Sequence, residues 1–484
     1  MKFSRPGCVA RAVGLTSILL PICVATGGAS AADALRADQL RFRELYRELV
    51  ETNTTLSVGS CTEAAEKLAV RLRKAGFPRQ QLHLVVLPDK PREGNLVAIL
   101  PGSDPSLEAM LLLAHIDVVE AKREDWTRDP FVLVEEDGFF YGRGVADDKA
   151  MAAIWVDSFI RFAEADHQPK RTLKLALTCG EETIGAFNGA EYLAREHKDL
   201  IGAAFALNEG AAGILDAEGR RVLLTVQVGE KTAQNYRLEV TNAGGHSSLP
   251  IPDNAIHRLA TGITRIAAHS FPIELNETTR GYFAKTAELV GGEMGTAMQA
   301  LLRDPSDAQA LAVVASDRRY NAALRTTCVT TMLDAGHATN ALPQRATAIV
   351  NCRIYPGTTP ETIRRELERL VADPAVVITI PEIRGPVAKT PPLTPAILAP
   401  IERVAAKHFP GLPIVPILQP GATDAQFTSN AGIHTYGIGG LFFEADGGGV
   451  HGLDERIRVR SLYDGRDFLH ELVQAYAEET GKIP

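Results

Sequence analysis

Apolar and polar residues recur along this chain with two periods, and the places where the period changes mark its elements. Between 60 and 75, Ala65, Leu68, Ala69, Leu72 and Ala75 keep helical spacing and Gly76 follows, which predicts a helix there and another over 38–51. Short apolar runs at 82–87, 95–100 and 110–114 read as strands. Beyond Gly142-Arg143-Gly144 the pattern predicts a helix over 148–163, a strand over 173–177, a helix over 185–196 and a strand over 203–207. Strand and helix in alternation argue an α/β sandwich.

From about Thr232 the rhythm changes to strand 236–240, helix 254–268, strands 326–333 and 346–354, helix 361–370 and strand 376–380. That order is the split βαβ, ferredoxin-like motif, a complete small α+β domain inserted in a larger one. The stretch 271–324 is extra, largely helical by pattern, and has no place in that motif. After Pro386 the α/β pattern resumes with helix Pro395–His408, strand 414–418, a glycine-rich region to Gly452 and a closing helix over 462–479. The expected division is therefore a larger domain in two parts, 32–231 and 387–484, around an insert at 232–386.

The first 31 residues read as a processing signal. Lys2, Arg5 and Arg11 precede an apolar stretch from Ala12 to Val24, and Ala29-Ser30-Ala31 fits a cleavage site before Ala32. The apolar stretch is short and interrupted by Pro21, no later stretch could span a membrane, and a soluble exported protein, periplasmic or secreted, is expected. Removal leaves 48 Lys+Arg against 59 Asp+Glu, a net charge of −11, which argues against a nucleic-acid partner. Four cysteines remain, Cys61, Cys179, Cys328 and Cys352, in no CxxC spacing. Export permits disulfides, but the apolar neighbours of Cys179 and Cys328 predict buried free thiols.

Chemistry gathers where strands end, the place at which open α/β sheets put their sites. The run Leu111-Leu112-Leu113-Ala114 leads into His115-Ile116-Asp117, an imidazole and a carboxylate two residues apart on one strand face. Asp147-Asp148 follows a glycine-rich turn, Glu181-Glu182 follows the strand ending near Cys179, Glu209 follows the next, and His451 follows Gly447-Gly448-Gly449. Each alone is an ordinary polar loop. Together they offer two histidines and at least three carboxylates, an N/O set without thiolate that suits zinc, with manganese or cobalt as substitutes. A carboxylate bridging two ions is what a two-metal hydrolase requires.

With these motifs the sequence resembles the M20 metallopeptidases, the group that includes glutamate carboxypeptidase, acetylornithine deacetylase, aminoacylase and carboxypeptidase S. The resemblance runs from Ser60-Cys61-Thr62-Glu63 to His451. It implies a zinc-peptidase catalytic sandwich with an inserted lid and dimerisation domain, and two zinc ions per chain. By the same resemblance His115 and Glu209 bind one zinc, Glu182 and His451 the other, and Asp147 bridges them. Asp117 orients His115, and Glu181 is the general base that later protonates the leaving amine.

His246, in Gly244-Gly245-His246-Ser247-Ser248, resembles the histidine that the family's inserted domain lends to the oxyanion of the partner subunit's site. This implies a homodimer through the insert. Asn340 and Arg353 resemble residues that hold a substrate carboxylate, for which the arginine fork is suited, and Gly421 and Thr423 belong to a glycine-rich turn lining the substrate site. The expected substrate is a dipeptide, the C-terminal residue of a peptide, or an N-acyl amino acid. Ala150 and Thr183-Ile184-Gly185 depart from the family's usual glycines, and the long 271–324 stretch and the His451-Gly452-Leu453-Asp454-Glu455 run lean toward the carboxypeptidase S-like branch. The alternative is a catalytically inactive exported binding protein on the same fold, which would be expected to have lost the base or a ligand. A serine hydrolase would need an elbow such as GxSxG, and the chain has none.

Overall fold

The computed structural model describes residues 35–183, 187–382, 385–481 and 483. The expected export signal and its cleavage site, and the departures at Ile184 and Gly185, lie outside the described residues. Among those residues no helix is long and apolar enough to cross a membrane.

A ten-stranded mixed sheet forms the larger part. Its order is Leu82–Leu87, Lys90–Leu100, Leu173–Thr178, Met110–His115, Phe205–Asn208, His434–Ile438, Arg221–Glu230, Gly213–Leu215 and Phe442–Phe443, with Ile414–Gln419 also on Arg221–Glu230. The strands ending at Thr178, His115, Asn208 and Ile438 are parallel neighbours, so their C-terminal ends share one edge. Alternate side chains of the central strand enter two cores. Leu112 and Ala114 pack with Trp155, Phe159 and Leu469, whereas Leu111 and Leu113 pack with Leu193, Ile201 and Ala206. Each such fully buried leucine contributes on the order of 1.5–3 kcal/mol, which fixes the register that presents His115 at the strand end. Helix Lys149–Glu164 is buried nearly all round, and Trp155 Nε1 donates to the Leu113 carbonyl at 3.1 Å.

The insert carries a four-stranded antiparallel sheet, Thr327–Ala335, Arg345–Ile354, Thr232–Thr241 and Val377–Thr379, packed against helices Ala255–Ala268 and Pro360–Val371. Alternate residues of Thr232–Thr241 are buried, and Tyr236, Leu238, Val350, Leu259 and Leu367 belong to a core separate from that of the large sheet. Stretch 271–324 holds helices Glu277–Val290, Gly292–Arg303, Ala308–Ala315 and Arg318–Leu324 around Phe283, Met298, Leu301 and Val314. It leans on the edge of the large sheet, where a Cβ at Gly281 would stand 3.2 Å from Pro416.

The free thiols expected at Cys179 and Cys328 are not found. Cys61 is bonded to Cys179, with Cα atoms 6.0 Å apart, and Cys328 to Cys352, at 4.1 Å. The physical reason is register. Thr327–Ala335 pairs with Arg345–Ile354 so that Cys328 faces Cys352, and the end of Leu173–Thr178 meets the first turn of helix Cys61–Lys74. Apolar neighbours signal burial, and a buried cysteine takes whatever the fold sets against it.

Candidate metal centre

The shared edge of the parallel strands supplies most of the polar cluster. His115 is the last residue of its strand and 2% exposed; Glu181 and Glu182 follow Leu173–Thr178, and Glu209 follows Phe205–Asn208. Asp147 comes from the turn before helix Lys149–Glu164, and His451 from the glycine-rich loop near the C-terminus. Three sets have ligand atoms within 4.8 Å of one another: His115, Asp147 and Glu209; His115, Glu181 and Glu182; and Asp147, Glu182 and His451.

Asp147 stands between the histidines. Its Oδ1 is 3.0 Å from His115 Nε2 and its Oδ2 is 3.2 Å from His451 Nε2, which also meets Glu182 Oε1 at 2.8 Å. The other nitrogen of His115, Nδ1, lies 3.1 Å from the backbone carbonyl of Asp117 and 3.6 Å from its carboxylate. The Asp117 carboxylate instead accepts from the backbone N–H of Glu181 at 3.3 Å and of Glu182 at 3.0 Å. Asp117 thus steadies the ring with its main chain and the paired glutamates with its side chain.

The electrostatics are those of a site built for cations. Burial, reinforced by Glu209, pushes the Glu181 carboxyl well above the usual range, and burial beside Asp147 does the same to Glu209. Burial opposes ionisation of Asp147 too, but hydrogen bonds from His115 and His451 outweigh it and hold that group low. The same contacts to Asp147 and Glu182 push His451 up to about 10. The buried cations next to Asp147 in sequence face elsewhere: Arg143 toward Glu455, and Lys149 Nζ to the Thr52 carbonyl at 2.8 Å. Crowded buried carboxylates whose histidine partners are pulled toward protonation fit divalent metal ions, which would supply the missing positive charge. The donor set of imidazole and carboxylate fits zinc.

A cavity of about 840 Å³ opens beside this cluster, lined by Glu181, Glu182, His451, Arg353 and Gly421 with Ala422, Phe427 and Ala431. Arg353 comes from the insert and Gly421 from the larger domain. Thr423 is buried beneath the turn, where its N–H and hydroxyl donate to Glu230 Oε2 at 3.0 and 2.8 Å and its hydroxyl accepts from Asn208 at 3.2 Å. It supports the wall and does not line it.

His246 and Asn340 are brought together, but away from this cavity's lining. Strand Gly245–His246 pairs with Ala341–Leu342, Ser247 N donates to the Asn340 carbonyl at 3.0 Å, and the exposed His246 ring is 2.7 Å from Ser248 Oγ. Asp424, which ends the Gly421-Ala422-Thr423-Asp424 turn, accepts from Thr178 at 2.8 Å and Asn188 at 2.7 Å behind the Glu181 loop, a supporting place that its position in the turn does not by itself reveal.

Residues 111–475 match the profile of peptidase family M20/M25/M40. The chain belongs to that family. It is 29% identical over 384 residues, 78% of this chain and 75% of the relative, to the human N-fatty-acyl-amino acid synthase/hydrolase PM20D1. It is 28% identical over 394 residues, 78% of this chain and 74% of the other, to the probable carboxypeptidase S-like 2 of Dictyostelium discoideum. The solved M20 family metallo-carboxypeptidase Sso-CP2 from Sulfolobus solfataricus superposes with a TM-score of 0.67 over 92% of this chain and 100% of that one, at 18% identity, a likeness of fold. Membership makes this chain a metal-dependent hydrolase of amide bonds.

Proposed function

We propose that this enzyme is an exported two-zinc hydrolase that cleaves the amide bond of a small carboxylate-bearing substrate: a dipeptide, the C-terminal residue of a peptide, or an N-acyl amino acid. The observation that carries the reading is Asp147, whose two oxygens each face a different histidine. His115, Asp147 and Glu209 would hold one ion, and Asp147, Glu182 and His451 the other. Bound there, the ions would polarise the scissile carbonyl and bring a water's pKa toward neutrality.

The chain's own residues carry the proton and the substrate. Glu181 takes a proton from the attacking water and delivers it to the departing amine nitrogen. Its burial raises its affinity for that proton, and the Asp117 carboxylate on its N–H fixes its place. Arg353, on the cavity wall, receives the substrate carboxylate, while Gly421 forms part of that wall and Thr423 stiffens the turn. The human relative is named an N-fatty-acyl-amino acid synthase/hydrolase, which supports N-acyl amino acids as the first of the three to test.

His246 and Asn340 stand outside the cavity of their own chain, which favours their use by a second copy. The insert's edge strand Thr327–Ala335 exposes Val329 (59%), Met332 (66%) and Leu333 (65%), a ready surface for that pairing. Export is proposed from the signal-like first 31 residues; the mature chain then begins at Ala32, which N-terminal sequencing of the secreted protein reads directly. Glu181→Gln tests the mechanism: turnover should fall roughly 100- to 10,000-fold, the order expected for loss of a general base, with metal content near normal. A variant with near wild-type turnover would remove Glu181 from the base role.

A further inference from the structure

The loop that carries His451 is irregular. Gly447, Gly448, Gly449, His451 and Asp454 all take left-handed backbone angles, with φ between 50° and 72°. It holds one short 3-10 turn over Gly447–Gly449, and beside it Gly447 N donates to the Glu444 carbonyl at 2.9 Å and Gly452 N to the Gly449 carbonyl at 2.8 Å. A loop with so little ladder bonding takes its position from side chains. Four residues past His451 lies Glu455, 1% exposed, and its carboxylate reaches into the turn that carries Asp147.

That one carboxylate accepts four hydrogen bonds. Oε2 takes Arg143 Nη1 at 2.7 Å and Gly144 N at 3.0 Å; Oε1 takes Ala146 N at 2.9 Å and Asp147 N at 3.2 Å. Arg143 completes the ring by donating from Nη2 to the carbonyl of Gly452, the neighbour of His451, at 2.8 Å, and it stacks over Trp126 at 4.9 Å. Gly142 N donates to the Glu455 carbonyl at 3.1 Å. Bonds to a buried ionised acceptor are stronger than neutral ones, and partners behind metal ligands commonly control their affinity.

We propose that Glu455 is a positioning residue: with Arg143 it clamps the His451 loop to the Asp147 turn and so sets, through one carboxylate, the spacing of two residues that share a metal ion. This rests on the reading of Asp147 and His451 as ligands. Their separation is then fixed before any ion arrives, and the ion shared by Asp147, Glu182 and His451 depends on the clamp more than the ion at His115 and Glu209. In Glu455→Gln the side chain keeps its size, but an amide NH₂ must face either the Arg143 and Gly144 donors or the Ala146 and Asp147 donors.

The test uses the full mature enzyme stripped of metal. Calorimetric titration with zinc should show two ions bound by the wild type, and in Glu455→Gln the ion at Asp147, Glu182 and His451 weakened roughly 10–100-fold, with the other, which meets the clamp only through Asp147, weakened less. Backbone hydrogen exchange on the metal-free protein should show faster exchange at Gly144, Ala146 and Asp147. Asp157→Asn is the control, because it breaks another buried pair, Arg466 Nε to Asp157 Oδ2 at 2.8 Å, outside the cavity lining. It should lower thermal stability without changing either zinc affinity. Arg143→Lys, which keeps the charge and loses the fork, should weaken the same ion to a smaller extent and serves if Glu455→Gln does not fold. Unchanged exchange at those three amides, or an equal loss of both ions, overturns the clamp. A wild type that binds fewer than two ions overturns the two-metal reading instead, and the exchange data still decide the clamp.

Discussion

Replacing Cys61 and Cys179 together by alanine removes a covalent link between residues 118 apart in sequence, directly before the Glu181 loop. In the chain-entropy treatment, closing a loop of that length stabilises the folded state by about 5 kcal/mol, against about 3.5 kcal/mol for the 24-residue separation of Cys328 and Cys352. Catalysis should suffer less than stability. The Glu181 loop is also held by Asn95 Oδ1 on Cys179 N at 2.9 Å, by Asp117 on the N–H groups of Glu181 and Glu182, and by Gly189 N on the Cys179 carbonyl at 2.7 Å. We therefore expect the Cys61/Cys179 double variant to lose several kcal/mol in urea unfolding, more than the Cys328/Cys352 double variant. Its kcat at low temperature should fall less than tenfold. A loss under about 1 kcal/mol, or the reverse order of the two variants, would refute the reasoning.

Arg353→Lys should raise KM roughly 10–100-fold with kcat little changed, since a point charge replaces a fork on the substrate carboxylate; equal KM for the two enzymes would remove Arg353 from that role. Burial, with Arg161 and Arg466 beside it, pushes His470 down to about 3. The unfolded chain then takes up a proton from about pH 6.5 downward while the folded chain does not, so stability is lost as pH falls from there toward 3. His470→Phe should flatten that part of a stability-versus-pH curve, and an unchanged slope would contradict the assignment. Mixing inactive His246→Ala with inactive Glu181→Gln chains should restore activity through heterodimers that combine Glu181 of one copy with His246 of the other. Heterodimers without activity would place His246 within its own site or outside the reaction.

Much of this was legible in the residue pattern, for a physical reason. His115, Glu182 and Glu209 sit where apolar runs stop, and a buried parallel strand must end in a polar turn; the helix over Pro395–His408 coincides with its periodicity because Pro395 and the apolar positions mark it locally. The cysteine pairing is not legible there, because it depends on strand register and on the approach of distant elements, which apolar neighbours do not encode. Strands His434–Ile438 and Arg221–Glu230 do not stand out in the pattern, the first being short and lying in a glycine-rich stretch, the second running between two regions of different rhythm. Stretch 271–324 was readable as helices, but its seat against Ile414–Gln419 joins segments far apart in sequence. The sequence puts Asp117 beside His115 but does not say which of its groups lies nearer the ring, the carbonyl at 3.1 Å or the carboxylate at 3.6 Å.

Asp147 is proposed to be shared between two ions. Metal analysis by mass spectrometry, on wild type and Asp147→Ala purified in parallel and dialysed against trace zinc, tests it most directly. A shared Asp147 requires two zinc ions per wild-type chain, both lost or severely depleted in the variant, while Glu181→Gln retains them. An Asp147→Ala chain that still holds two ions, or a wild type that is fully active with none, would contradict it.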